Sequence, residues 1–395
     1  MSTLPFGAEP VDAVTRLLSD LVAIPSVNPM GRPLQGKGFL EGGMSDYLEN
    51  WFQSLGVPYE RRTVAPGRDN LIARYKSPHD RKTVLFDAHQ DTVPTDGMTI
   101  SPFVPEIRDG RLYGRGSCDV KGGMAAMLEA FARLVKERPA NSASVVMACT
   151  VDEEFTHIGS SQLAASPRMA DYAIVAEPTK LDIVHRHKGA VRWKIRTKGV
   201  ACHSSTPKLG INAIYRMGEL LGALSEYADM LSQATPDPIL GPPSLSVGRI
   251  EGGLSVNVVP DWCEIEVDRR IIPGEAPSDC YQRVQTYLRD RLGDSVTWEF
   301  FPPWVNMPPL SQEVGDENGW VARVRHAVGE ASGRVPELAG VPYGTDAGPL
   351  GQTGLPCLVI GPGDIAQAHT KDEWIELDQV QTAVDAYYQI ALALG

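Results

Sequence analysis

Nowhere in the 395 residues do two cysteines stand at Cys-x-x-Cys spacing. The six present (Cys118, Cys149, Cys202, Cys263, Cys280 and Cys357) are scattered, which fits reduced thiols and excludes a thiolate zinc site. Any metal must therefore be held by nitrogen and oxygen. No apolar run is long enough to span a bilayer, and the opening Met1-Ser-Thr-Leu-Pro-Phe-Gly-Ala-Glu has neither the basic start nor the apolar core of a secretory leader. A cytoplasmic location without membrane attachment is expected. Positive charge is also scarce: 37 Lys and Arg against 49 Asp and Glu give −12, which argues against nucleic acid or an anionic membrane surface as partner. Internal repeats and low-complexity segments are lacking too.

What is present is an ordinary globular mixture, 43% hydrophobic and 22% charged, in a chain too long for one small core, so two domains are expected. Val14, Leu17, Leu18, Leu21 and Val22 keep helical spacing until Pro25 stops them. Met44, Tyr47, Leu48, Trp51, Phe52 and Leu55 repeat the pattern, closed by Gly56. A short apolar run then leads into Ala88-His-Gln-Asp-Thr-Val-Pro94. Two-residue spacing puts His89 and Asp91 on one side of an extended chain, and a carboxylate there can accept the second N–H of a metal-binding imidazole. An isolated His-x-Asp is more often a core histidine bonded to its neighbour. Acidic residues farther along the chain give this one its significance.

Asp119 sits in the glycine-rich Gly114-Arg-Gly-Ser-Cys-Asp-Val-Lys-Gly-Gly123, which enters a helix carried by Met124, Met127, Leu128, Phe131, Leu134 and Val135. An apolar run over 144–151 ends in Asp152-Glu153-Glu154, and another over 172–176 ends in Glu177-Pro178. Strands alternating with helices predict a mostly parallel central sheet flanked by helices, with acidic residues at the C-terminal strand ends, where open α/β sheets bind ligands. Between 183 and 304 the rhythm changes to strand, helix, two strands, helix, strand. That pattern predicts an inserted α+β domain with an antiparallel sheet, dividing the outer domain into 1–182 and 305–395. A last strand at 357–360 runs through Gly361-Pro-Gly to His369.

At one sheet edge the candidates are thus His89, Asp119, Glu153, Glu154, Glu177 and His369. Four carboxylates converging without cations repel one another and are driven protonated, a cost that bound divalent metal removes. Two imidazoles and three carboxylates, one of them bridging, suffice for two zinc ions roughly 3.5–4 Å apart, and the remaining carboxylate is left as general base.

These motifs, with Ala201-Cys-His-Ser-Ser205, Gly252-Gly-Leu-Ser-Val-Asn-Val-Val-Pro260 and Gly361-Pro-Gly-Asp-Ile-Ala-Gln-Ala-His-Thr-Lys-Asp-Glu373, resemble the zinc amidohydrolase and exopeptidase family of acetylornithine deacetylase, succinyl-diaminopimelate desuccinylase, aminoacylase and glutamate carboxypeptidase. The likeness runs through nearly the whole chain. It implies that Asp119 bridges two metals, that His89 and Glu177 complete one site, and that Glu154 and His369 complete the other. Asp91 would orient His89, and Glu153 would take a proton from water and pass it to the leaving amine. The metal implied is zinc, with cobalt or manganese as alternatives. The resemblance further implies a homodimer built through the insert, whose lid and dimerisation role would bring His203 to the partner's site as an oxyanion donor. Asn257 and Arg270 align with substrate-contacting positions, with Arg269 as a rival for the second. Thr345 and Asp346, in Tyr343-Gly-Thr-Asp-Ala-Gly348, resemble a substrate-side loop in which Asp346 would receive an ammonium group.

Departures are small: Ala88 and Val151 replace smaller residues, and Cys118 lies beside Asp119. None removes a ligand. The reaction implied is amide hydrolysis of an N-acylated amino acid, nearest to acetylornithine deacetylase, with desuccinylase, dipeptidase or carboxypeptidase activity as the alternative. Two-metal phosphate-ester hydrolysis would require more cations than Arg270. A metal-binding module without catalysis would be expected to lack Glu153 or His203. His185 and His187 read as alternating strand residues of the insert, away from any carboxylate cluster.

Overall fold

The structure is a computed structural model describing residues 12–34, 36–79, 82–293, 296–317 and 319–395. The leader reading of residues 1–9 falls outside the described residues. The chain divides into two compact units. One comprises Met1–His185, Gln312–Ala339 and Thr345–Gly395, the other Arg186–Ser311 and Gly340–Gly344.

The first unit is built on a mixed sheet whose centre is parallel. Ser144–Thr150, Thr83–His89, Tyr172–Val175 and Cys357–Val359 run side by side in one direction. Arg68–Tyr75 and Tyr59–Ala65 add antiparallel strands beyond Ser144–Thr150. The central strands are buried on both faces, which is why they read as continuous apolar runs rather than alternating ones. Helices Ala13–Ala23, Gly42–Leu55, Gly122–Glu137, Trp320–Ser332 and Leu377–Ala393 supply the cover. Leu18, Phe52, Phe86, Met127, Phe131 and Tyr387 meet in one core, each such side chain contributing about 1.5–3 kcal/mol by leaving water.

Local chemistry sets the helix ends. Asp12 accepts the Thr15 N–H at 2.8 Å to cap the first helix. Gly56, at φ +71°, closes the second, as its spacing predicted.

The second unit carries an antiparallel sheet in the order Ser244–Gly252, Trp262–Ile271, Gly189–Lys198, Trp298–Phe300. Helices Ala213–Ser232 and Pro277–Leu292 bury Met217, Leu220, Leu224, Val284 and Leu288 with Trp193, Ile195 and Val267 from that sheet. The return to the first unit comes at Ser311/Gln312 instead of 304/305, because Val305–Met307 still pairs with Gly189–Lys198.

Candidate metal centre

Parallel strands end at the same edge, so their terminal residues are neighbours whatever their separation in sequence. His89 is the last residue of its strand. Glu153 and Glu154 follow Thr150 through Asp152, whose backbone is left-handed at φ +64°. Glu177 follows Val175, and His369 lies on the loop after Val359. Asp119 lies in the turn preceding Gly122–Glu137.

The side chains converge. Asp119 Oδ1 lies 3.1 Å from His89 Nε2, and its other oxygen, Oδ2, lies 3.3 Å from His369 Nε2. Glu154 is 3.1 Å from His369 Nε2. Single ligand atoms of His89, Glu153 and Glu177 fall within 4.8 Å of one another, as do those of His89, Asp119 and Glu154. His89 has its Nδ1–H 3.0 Å from the Asp91 carbonyl oxygen and 3.5 Å from its carboxylate, leaving Nε2 as the nitrogen facing the cluster. The tautomer suits a ligand, although the nearer acceptor is backbone rather than carboxylate.

The charges are strained by this crowding. Burial pushes Glu153 well above the usual carboxylate range, and the neighbouring Glu177 adds to it. Glu177 and Glu154 are raised by burial and then by Asp119. Burial opposes the ionised form of Asp119 as well, but hydrogen bonds from His369 and His89 outweigh it and hold this carboxyl well below its ordinary value. Both imidazoles are raised in return, against burial, by bonds to Asp119 with Glu154 for His369 and with Asp91 for His89; His369 is pushed up to about 11. Six convergent nitrogen and oxygen ligands with too little positive charge form a donor set that fits two divalent cations.

Two carboxylates outside the cluster fix its loops. Asp91 accepts the backbone N–H of Glu153 at 3.1 Å and of Glu154 at 3.2 Å. Asn28 donates to both Asp91 and Asp152 at 2.8 Å. Arg68 pairs with Asp152 at 3.0 Å and with Glu41. Glu373 accepts from the backbone N–H groups of Gly116, Cys118 and Asp119, each at 3.0 Å, and from Arg115 at 2.6 Å. Sequence reasoning missed Glu373, Arg115, Arg68 and Asn28. The Asp-Glu that closes the His369 motif was the only available signal.

The other predicted residues lie in the second unit or in the core. His203 and Asn257 come together there: Cys202–His203 pairs with Val258–Val259, and Ser204 N–H donates to the Asn257 carbonyl at 3.0 Å. The Ser205 N–H donates to His203 Nδ1 at 3.1 Å, so in the neutral ring the proton is on exposed Nε2. Arg269 is buried and bonded to Glu275, whereas Arg270 is partly exposed and paired with Asp268.

Thr345 and Asp346 are 0% and 1% exposed. Asp346 accepts from Thr150 at 2.8 Å, Ser160 at 2.5 Å and the His157 ring at 3.2 Å, and Thr345 Oγ1 accepts the Ala347 N–H. Both side chains are thus interior, with neighbouring donors on their acceptor oxygens. His185, a strand residue, donates its Nδ1–H to the Gln312 carbonyl at 2.9 Å.

Residues 85–393 match the family model described as peptidase family M20/M25/M40. Acetylornithine deacetylase of Vibrio vulnificus (strain CMCP6) is 34% identical over 349 residues, covering 86% of this chain and 88% of that protein. The Vibrio cholerae El Tor Inaba N16961 protein of the same description is 33% identical over 343 residues, covering 85% and 87%. Among solved structures, the M20 family metallo-carboxypeptidase Sso-CP2 of Sulfolobus solfataricus superposes with a TM-score of 0.79 at 18% identity, covering 97% and 99%. The Bacillus subtilis YXEP protein, described as a dinuclear metal-binding peptidase, gives 0.66 at 17% identity and covers 96% of each chain.

Proposed function

The chain belongs to peptidase family M20/M25/M40 and is a metal-dependent amidohydrolase or peptidase, and from that premise we propose that it removes the acyl group of an N-acetylated amino acid. The acyl preference is suggested by the acetylornithine deacetylases that it resembles along most of its length. One observation supports the two-metal reading above the others: the two oxygens of Asp119 face different imidazoles, His89 and His369, as a bridging carboxylate would. His89, Glu177 and Asp119 would hold one cation, and Glu154, His369 and Asp119 the other. When bound, such a pair supplies Lewis acidity toward a carbonyl and makes nearby water more acidic.

Glu153 acts on that water. It is buried, and its oxygens accept no hydrogen bond from any described residue, which leaves them free to take a proton and return it to the departing amine. A partner subunit would bring His203, whose Nε2–H suits a developing oxyanion. Dimerisation through the second unit is supported by its exposed apolar residues, Leu209, Tyr215, Leu254 (84%) and Val256 (100%), which a second copy would remove from water. Arg270 would grip the substrate carboxylate.

Purified protein is analysed for metal and then assayed for amine release from N-acetyl and N-succinyl amino acids and from dipeptides, before and after chelation. Fastest turnover of an N-acetyl substrate, lost on chelation and restored by zinc, cobalt or manganese, is expected. Faster cleavage of dipeptides or succinyl substrates overturns the acyl assignment. Activity indifferent to chelation overturns the metal reading.

A further inference from the structure

His157 belongs to none of the motifs that point to the metal centre, yet its ring lies beside Glu153. Nδ1 is 3.2 Å from Asp346 Oδ1 and 3.6 Å from Glu153 Oε1. The backbone of His157 is left-handed, at φ +57°, a conformation that a non-glycine residue keeps only where its surroundings enforce it. Here the enforcement is visible. The His157 N–H donates to the Asp152 carbonyl at 2.7 Å, and the residue caps the helix Ile158–Ala164.

Behind the ring, Asp346 is fully engaged. Its Oδ1 accepts from Ser160 Oγ at 2.5 Å, and its Oδ2 is 2.8 Å from Thr150 Oγ1, which in turn is 3.1 Å from Asp87 Oδ1. Thr150 Oγ1 donates to Asp346 Oδ2, and the His157 Nδ1–H donates to Asp346 Oδ1. Thr150, Ser160 and His157 thus converge on Asp346, and the ring fixed there stands with Nδ1 3.6 Å from Glu153 Oε1.

We propose that His157, held by Asp346, is a positioning residue for Glu153: its Nδ1–H lies against the glutamate and keeps the carboxylate from turning away from the water it must deprotonate. The proposal rests on the reading of Glu153 as general base. It predicts that the hydrogen-bonding atom matters more than the bulk of the ring. Asparagine places an N–H donor where Nδ1 stands and tolerates left-handed backbone, whereas glutamine places its donor nearer Nε2.

The experiment compares His157→Asn, His157→Gln and Asp346→Asn with the parent enzyme. Metal content, melting temperature, kcat and KM are measured on whichever substrate class the amine-release screen selects. We expect His157→Gln and Asp346→Asn to lower kcat at least tenfold, with KM within about threefold and two metals retained, while His157→Asn recovers most of the loss. Long-range 1H–15N spectra supply a readout independent of turnover: the His157 ring, assigned by its disappearance in His157→Asn, is expected as the Nδ1–H tautomer and shifts toward Nε2–H in Asp346→Asn. Equal kcat for the asparagine and glutamine variants, or an Nε2–H ring in the parent, overturns the proposal. An active Glu153→Gln control instead overturns the general-base reading, so the two failures are separable.

Discussion

Glu373 holds Asp119 by its backbone: the glutamate's Oε1 accepts the Asp119 N–H at 3.0 Å, while Asp119 turns its own carboxylate to two imidazoles. The same carboxylate takes the Gly116 and Cys118 N–H groups and the Arg115 guanidinium, so it fixes the whole turn that aims Asp119.

Glu373→Gln is accordingly expected to weaken metal binding by about 10–100-fold, the range seen when groups that orient ligands are lost. An amide has only one acceptor atom where this turn presents donors to both oxygens. Chelator competition measures the change. Unaltered affinity would show that the turn holds its shape without the glutamate.

Glu153→Gln is expected to keep both metals while amide hydrolysis falls by roughly a thousandfold, within the span for loss of a general base. Metal analysis and kcat on the same preparation provide the check. A variant retaining most of its turnover would place the base elsewhere.

Stripping the metal is expected to make stability fall with rising pH. His369 is pushed up to about 11 from 6.5 because its bonds to Asp119 and Glu154 outweigh burial, and Glu153, Glu154 and Glu177 are raised from 4.5 by burial and neighbouring charge. Groups raised in this way bind more protons folded than unfolded. Their stabilisation is complete below the unfolded values and is lost as pH climbs through the folded ones. Asp119 and Asp91 shift the other way, below their ordinary value of 3.8, and so titrate below this window. Thermal melts of chelated protein between pH 6.5 and 11 should therefore decline, and less steeply after metal is restored, since ligated groups have already released their protons. A melting temperature that rises over this window in the stripped protein would contradict the charge balance described here.

His203→Ala is expected to reduce kcat by about 100–1,000-fold with little change in folding, as loss of an oxyanion donor does. If the histidine serves the partner's site, mixing this variant with Glu153→Gln restores part of the activity, because a hybrid dimer contains one complete site. Activity of remixed subunits is the measurement, and absence of any recovery would confine His203 to its own subunit.

Much of this was legible in the chain. Amphipathic spacing located the helices over 13–23, 42–55 and 122–137 to within a residue or two, and Gly56 marked a helix end as a left-handed residue must. The acidic strand ends were legible because a parallel sheet brings its C-terminal ends together. The interior position of Asp346 was not legible. Likeness to a substrate-side loop says nothing of burial, and only packing against Thr150, Ser160 and His157 reveals the residue as interior.

By itself, the sequence determined which residue types were available and their periodicity: nitrogen and oxygen ligands without thiolate pairs, apolar runs ending in acids, and an insert with its own rhythm. Tertiary structure alone decided which loops meet. Glu373 reaching Asp119 across 254 positions, or His157 lying between Glu153 and Asp346, depends on closure of the sheet and on backbone hydrogen bonds between distant loops. Periodicity reports which face of an element is buried, but it contains no information about the partner on the other side of the fold.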